Sequence, residues 1–393
     1  MIALTALLCA AQVLGMLSTA TFPALIPEFV DAWGLSNSAA GFVSGAYFAG
    51  YIAAVPVLVS LTDREDARLI YLGSQCLGGL AALGFALFAT GFWTAVVFRV
   101  LGGVGLAGTY MVGARILSDR VEGTRQSRAI AWYTAHFGIG TSLSVLVAGE
   151  VAGMLDWQWA YGVSAAGHLA AVALVAFGLR PMGRPEERPE GAVLDLRPVL
   201  KNRPAMAYVL AYSAHVWELF AFRTWLVAFL TFALVTQGAG NGLNPTRVAT
   251  VILLLGTPAS ILGNEAAVAF GRRRAVAIVM AVSAAMALGL GFTAAWPVGW
   301  MLAAFAIYGV TVMADSGALT AGAVAASDPE RRGATMALHT LLGFAAGTLG
   351  PLTAGAVLDF SGGESSLLAW GLCFASMGIV AFLGPVVLAR VGR

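Results

Sequence analysis

The chain has 393 residues, of which 59% are hydrophobic and only 11% are charged. A soluble domain carries about 25% charged residues, so this composition excludes an ordinary soluble protein and indicates a membrane protein. The formal net charge of +2 gives no reason to expect a nucleic acid as a partner. The expected surroundings are a lipid bilayer.

A bilayer core about 30 Å thick needs roughly 20 apolar residues per helix, and twelve stretches of the chain meet that requirement. The predicted spans, numbered in chain order, cover residues 2–23, 38–61, 69–91, 93–116, 127–152, 158–179, 205–233, 246–269, 273–294, 298–325, 333–357 and 366–389. We interpret the first as a retained helix, because it lacks the positively charged start of a secretory signal. The predicted fold class is all-α, with twelve transmembrane helices.

A polar segment, residues 180–203, separates spans 6 and 7 and contains five Arg, one Lys, four acidic residues and four Pro. Such a segment can neither cross lipid nor form one long helix. It is therefore predicted to be a cytoplasmic linker between two six-helix bundles, residues 1–179 and 204–393.

The distribution of positive charge predicts the orientation. With the linker in the cytoplasm, all but three of the 22 Lys and Arg residues lie in or beside inner loops, the exceptions being Arg99, Arg223 and Arg247. Cytoplasmic loops carry such an excess of positive charge. Both termini are then expected in the cytoplasm, and the protein in the cell membrane.

Segments of the two halves correspond. Asp119 follows span 4 and Asp328 follows span 10 at matching places, and short basic loops follow spans 2 and 8. Transporters are commonly built from duplicated halves. Two pseudo-symmetric bundles in the same orientation are therefore predicted.

Three motifs stand in or beside the predicted spans. The loop after span 2 has Asp63, Arg64 and Arg68 at the fixed places of the pattern G-x-x-x-D-R-x-G-R-[RK], span 4 carries R-x-x-x-G-x-G-x-A from Arg99, and residues 156–161 read D-W-Q-W-A-Y. These motifs resemble those of the major facilitator superfamily, in which the third is usually G-W-R-W-x-F, and the resemblance covers essentially the whole chain. The resemblance implies a secondary transporter that works by alternating access, with spans 1, 4, 7 and 10 lining its cavity.

Some positions depart from the family pattern. Val59, Asp66 and Ala67 stand where Gly, Gly and Arg are usual. Span 5 lacks the Gly-Pro motif of drug antiporters, whereas a Gly-Pro series runs from Gly343 to Gly355 in span 11. The missing Gly-Pro motif of span 5 disfavours drug export, and close helix packing is the simplest interpretation of the glycines.

Ionisable residues at membrane depth are the candidates for function, because each is costly there unless it is paired or hydrated. They are Arg99, His136, Glu150, His168, His215, Glu218, Arg223, Glu265, Asp315 and His339. Those on cavity-lining spans, predicted to bind substrate, are Arg99, His215, Glu218, Arg223 and Asp315. Glu218 and Asp315 are also predicted to couple transport to protons. The alternative is a structural role, as an ion pair or a hydrogen bond between helices.

The loop motif predicts a cytoplasmic gate. Its expected members are Asp63, Arg64, Arg68, Glu265 and Arg272. In the family that the chain resembles, this loop closes the inner side by pairing with neighbouring helix ends.

The function predicted from these residues is secondary transport of a small polar or anionic organic solute, coupled to protons, by a monomer. The sequence has no P-loop, no metal-ligand cluster and no catalytic triad spacing, so neither an enzyme nor a bound cofactor or metal is expected. Two alternatives stay open: a drug or metabolite efflux antiporter, and a non-transporting membrane sensor or scaffold.

Overall fold

The structure is a computed structural model that describes residues 2–183, 196–238 and 242–391. These residues form seventeen α-helices and two short 3-10 helices. The α-helices are α1 Ile2–Gly15, α2 Thr21–Ala24, α3 Ile26–Trp33, α4 Asn37–Leu61, α5 Ala67–Phe88, α6 Phe92–Arg120, α7 Thr124–Met154, α8 Trp157–Gly178, α9 Arg197–Lys201, α10 Arg203–Thr236, α11 Pro245–Phe270, α12 Arg272–Leu290, α13 Val298–Ala314, α14 Ser316–Ala326, α15 Arg332–Phe360, α16 Leu367–Ala381 and α17 Leu383–Arg390.

The apolar stretches of the sequence form membrane-length helices. Within the described ranges, eleven helices or joined helix pairs are long and apolar enough to cross a membrane. They correspond to predicted spans 2 to 12, and many of their large apolar side chains are exposed. In lipid a chain has no water to bond its backbone groups, and a helix pairs all of them internally. Uninterrupted apolar sequence therefore forms helices here. The all-α fold class is confirmed.

The first predicted span is not one helix, and in this detail the prediction is wrong. Helix α1 ends at Gly15, turns follow, and α2 and α3 are short. Pro23 contributes to the interruption, because a proline lacks the amide that would bond to the carbonyl four residues earlier, at Thr19. Ser and Thr side chains in this stretch also compete for backbone groups. Thr21, for example, donates to the Leu17 carbonyl at 2.7 Å.

The chain divides into two compact units. The first comprises Met1–Leu25 and Ala46–Gly191, and the second comprises Ile26–Gly45 and Ala192–Arg393. The bounds differ from a simple division at the linker, because the segment Ile26–Gly45 packs with the second unit. Helix α4 therefore begins in the second unit and continues in the first. Most of the predicted linker, residues 184–195, lies outside the described residues.

The glycine series of span 11 packs against α10. An added Cβ at Gly343 would meet Tyr212, one at Gly347 would meet Phe220, and one at Gly350 would meet the Trp217 backbone. Small residues allow helices to approach this closely in lipid. These contacts are those expected from a packing role.

Candidate functional site

Helix α10 supplies three of the predicted site residues. It runs without interruption from Arg203 to Thr236, and its N-terminus is capped by Asn202, whose side chain accepts the Ala205 amide at 3.0 Å. His215 and Glu218 are three residues apart and share a face, whereas Arg223 is roughly 140° around from Glu218 on an ideal helix. The helix therefore presents its buried acid and its basic residue in different directions.

Glu218 lies at the centre of a buried polar cluster in the second unit. Its side chain is 1% exposed. Its Oε1 accepts hydrogen bonds from the Ser283 hydroxyl of α12 at 2.8 Å and from the Tyr308 hydroxyl of α13 at 2.9 Å. Both donors are neutral, so they satisfy the carboxyl oxygen without supplying a positive charge. Neither residue was identified from the sequence, because a Ser and a Tyr in apolar spans have no distinguishing pattern.

Asp315 lies at the break between α13 and α14, which interrupts predicted span 10. It is 3% exposed, and its Oδ1 is 2.9 Å from Nδ1 of His215. The two atoms are within ion-pair distance, but their arrangement lacks hydrogen-bond geometry. The pair is an ion pair when His215 is protonated. Helix α11 packs closely against the break, since a Cβ added at Gly263 of α11 would collide with the Ala314 carbonyl at the end of α13.

A second histidine extends the cluster. His339 of α15 is 2% exposed and stacks on the Tyr212 ring, with centroids 3.8 Å apart. Its Nε2 is 3.3 Å from the Thr320 hydroxyl. Tyr212 also lies 5.9 Å from the His215 ring. The sequence marked His339 only as an ionisable residue in a span, because its neighbours come from distant parts of the chain.

Arg223 contacts apolar partners. It is half-buried, its guanidinium donates to the Met313 sulfur at 3.5 Å, and it lies 5.9 Å from the centroid of Phe220. Its Nε has no hydrogen-bond partner in the described part of the chain. Among the residues that the structure describes, no carboxylate lies within salt-bridge distance of it. A permanently charged side chain at membrane depth is thus held next to a thioether and an aromatic ring.

Arg99 belongs to the first unit and contacts backbone. It is 2% exposed and donates to the carbonyls of Ser18 and Thr19 at 3.1 and 3.0 Å. Its guanidinium also lies 4.3 Å from the Tyr47 ring centroid. The Thr19 carbonyl is the one that Pro23 leaves without its helical partner. Arg99 therefore satisfies carbonyl groups at the interruption after α1. A small cavity with room for about one water molecule lies beside it.

The predicted gate residues of the first unit form local contacts. Asp63 lies 3.4 Å from Arg115, and Arg68 donates to the Ala176 carbonyl at 2.7 Å, while Arg64 is exposed. Asp66, which the sequence marked only as a departure from the family motif, caps α5 and accepts the Met182 and Gly183 amides.

The predicted gate residues of the second unit lie near the end of α11 and at the start of α12. Arg272 donates to the Ala321 carbonyl at 3.5 Å. Glu265 is exposed. Within the described part of the chain, no ion pair joins Glu265 to a basic residue.

Membrane-length helices that carry buried ionisable side chains at their middle are typical of multi-pass membrane transporters. The chain belongs to the major facilitator superfamily, a family of such transporters, whose family model matches residues 7–246.

Curated relatives include spinster proteins. Protein spinster homolog 3 of Danio rerio is 26% identical over 242 residues, which cover 59% of this chain and 49% of the relative. Protein spinster homolog 1 of Homo sapiens is 24% identical over 247 residues, covering 60% and 47%. A probable sphingolipid transporter, spinster homolog 1 of Arabidopsis thaliana, is 26% identical over 148 residues, covering 37% and 30%. The match thus spans at most about half the length of these relatives.

Solved structures share the fold. A bacterial homolog of the human lysosomal transporter Spinster, in an inward-facing and unoccupied conformation, has a TM-score of 0.78 at 15% identity, covering 99% of this chain and 95% of that one. The nucleoside transporter NupG has a TM-score of 0.80 at 12% identity, covering 99% and 100%. At these identities the likeness shows the fold alone.

Proposed function

We propose that this secondary transporter moves a small polar or anionic organic solute by alternating access, in exchange or together with protons. The proposal places it in the cell membrane as a monomer with both termini in the cytoplasm, as the positive charge of the inner loops favours. Its substrate-binding candidates are Arg99, His215, Glu218, Arg223 and Asp315. The observation that carries the proposal is that two ionisable side chains at membrane depth, Glu218 and Arg223, have neutral partners among the described residues.

The balance of charge supports proton coupling at Glu218. In the cluster of the second unit, Asp315 lies 2.9 Å from His215, a side chain that can carry a positive charge, whereas the partners that the described residues offer Glu218 are the neutral hydroxyls of Ser283 and Tyr308. A buried carboxylate without a cation is strongly disfavoured relative to its protonated form. Glu218 is therefore proposed to hold a proton in this conformation and to release it when water reaches the cluster. Asp315 is proposed as the second proton-coupling residue.

The surroundings of Arg223 support an anionic substrate. A buried or half-buried charge is costly unless a counter-ion accompanies it, and the described residues offer Arg223 a sulfur atom and a ring instead. A guanidinium is suited to carboxylate or phosphate groups because its planar fork binds two oxygens at once. An anionic group of the substrate would supply the missing charge.

A second candidate substrate is an amphipathic anion of the lipid type. The specific observation is that the partners of Arg223, Met313 and Phe220, are apolar, and Phe220 packs edge-on against Phe344 with centroids 5.5 Å apart. This setting fits an anionic head group attached to an apolar body. The Arabidopsis relative, a probable sphingolipid transporter, agrees with this candidate.

A thermal-shift screen of the purified protein tests the proposal. Organic acids, nucleosides and single-chain anionic lipids are added separately, and a ligand that binds the folded state raises the unfolding temperature. We expect an anionic compound to stabilise the wild type and to have little effect on Arg223→Ala. Stabilisation by the anionic lipids alone would favour the second candidate. Stabilisation by neutral compounds only, equal in both proteins, would contradict an anionic substrate.

A further inference from the structure

An acidic side chain at the end of α15 caps a helix that is distant in the sequence. Asp359 accepts four hydrogen bonds from the start of α4: from the amide and side-chain nitrogen of Asn37 at 2.9 and 3.0 Å, and from the amide and hydroxyl of Ser38 at 2.8 and 2.5 Å. The first amides of a helix have no partner within it. Asp359 thus supplies, from another helix, the cap that α4 does not supply for itself at these positions.

The position of Asp359 in its own helix is unfavourable. It lies in the last turn of α15, which ends at Phe360, and the negative end of the helix macrodipole repels an acid there. The same charge is favourable at the N-terminus of α4, where the dipole is positive. The electrostatic advantage of an acid at this position therefore depends on the contact with α4.

The two helices also touch backbone to backbone over the same stretch. A Cβ at Gly41 would collide with the Pro351 carbonyl, one at Gly45 with the Thr348 carbonyl, and one at Gly355 with the Asn37 carbonyl. At these glycines the backbones contact each other directly, so few side chains interdigitate and few must change rotamer when the helices separate. Together with the capping of α4 by Asp359, these contacts allow the two helices to pack closely and to separate without repacking many side chains.

Helix α4 makes this contact before it passes from one compact unit to the other. Its residues up to Gly45 pack with the second unit, and its residues from Ala46 onward pack with the first. Alternating access requires relative motion of the two halves of a transporter. The start of α4 must then either part from α15 or bend at the boundary.

We propose that Asp359, Asn37 and Ser38 form a latch that holds the start of α4 on α15 and that opens each time the transporter opens at the membrane face opposite the linker. Asp359 is a positioning residue in this proposal, since it acts on the helix and need not touch the solute. The proposal rests on alternating access, but on neither the substrate nor the coupling proton. It also gives a function to the outer part of the glycine series in α15.

Cysteine accessibility tests the latch without any substrate. In a full-length protein whose native Cys9, Cys76 and Cys373 are replaced, Ala40→Cys or Ser44→Cys is introduced; Ala40 is 0% and Ser44 1% exposed. The labelling rate with a bulky water-soluble maleimide is measured after reconstitution in nanodiscs. We expect Asp359→Ala to raise the rate at both probes by about tenfold or more, because a single charge-assisted hydrogen bond is worth such a factor.

Matched variants separate a latch from general loosening. Asp156 is also an acid that caps a helix, but it caps its own, α8, through the Trp159 amide. Asp156→Ala should leave both labelling rates unchanged, and Asp359→Glu should restore part of the closed state. If Asp359→Ala does not fold, Gly41→Ala provides a second route, since its added methyl must push α4 from Pro351 and raise both rates.

Three outcomes overturn the proposal. The first is an unchanged rate in Asp359→Ala, and the second is an equal rise in Asp156→Ala. The third is a rise at residue 40 without one at residue 44, which would show local fraying of α4 instead of opening. Because labelling needs neither solute nor pH gradient, failure here leaves the proposed transport function standing, and failure of that function leaves this result standing.

Discussion

Replacing Glu218 with Gln separates proton coupling from solute binding. Gln has nearly the same shape, and its Oε1 can still accept from Ser283 and Tyr308, which donate to Glu218 at 2.8 and 2.9 Å. The substitution therefore keeps the contacts of the cluster and removes only the group that can gain or lose a proton. A large loss of folded protein is not expected.

The size of the effect follows from the pH gradient. One pH unit corresponds to about 1.36 kcal/mol per proton, which is roughly a tenfold concentration ratio of solute for a one-to-one coupled carrier. We expect wild-type protein in liposomes to approach this ratio. With Glu218→Gln, the concentration of solute inside the liposomes should stay about equal to the concentration outside. Exchange of labelled for unlabelled solute without a gradient should stay within roughly threefold of the wild type, or about 0.65 kcal/mol.

Ser283→Ala is the matched control. It removes one donor to the same carboxyl oxygen but keeps the ionisable group, so accumulation should persist. Gradient-driven accumulation by Glu218→Gln equal to that of the wild type would refute the assignment of Glu218. Wild-type transport that ignores both pH and protonophores would remove proton coupling altogether and favour a uniporter or a sodium-driven carrier.

Substitutions at three further positions have defined outcomes. Asp63→Asn should weaken the contact with Arg115, 3.4 Å away, and slow turnover while leaving solute affinity within about threefold of the wild type. Unchanged turnover in a flux assay would contradict the gate assignment. Arg223→Lys should weaken solute binding, since Lys lacks the planar fork of Arg, and Arg223→Ala should abolish it. Calorimetric affinities of both variants equal to that of the wild type would favour a structural role for Arg223. Gly263→Ala should lower the unfolding temperature, because its added Cβ meets the Ala314 carbonyl, and overpacking of this kind costs on the order of 1–3 kcal/mol. Gly289→Ala is its control, since no atom of the described residues lies within 4 Å of a Cβ added there.

The sequence by itself determined the class of molecule and most of its helices. Long apolar stretches with few charges can satisfy their backbone in lipid only as helices, so spans 2 to 12 follow from composition and length. The ionisable residues within these spans, such as Glu218 and Asp315, stood out because a charged side chain is costly in lipid and is therefore rare there. The loop and helix motifs also pointed to the right family.

The tertiary structure decided which groups meet. Ser283 and Tyr308 lie 65 and 90 residues from Glu218 along the chain, and Asp359 caps a helix 322 residues earlier, so no local pattern could reveal these contacts. The interruption after α1 was missed because hydropathy averages over residues, whereas a helix break depends on single backbone groups. Two of its buried carbonyls, those of Ser18 and Thr19, accept hydrogen bonds from Arg99 of α6. A hydrogen bond is set by the positions of both partners, and those positions exist only once the helices have packed.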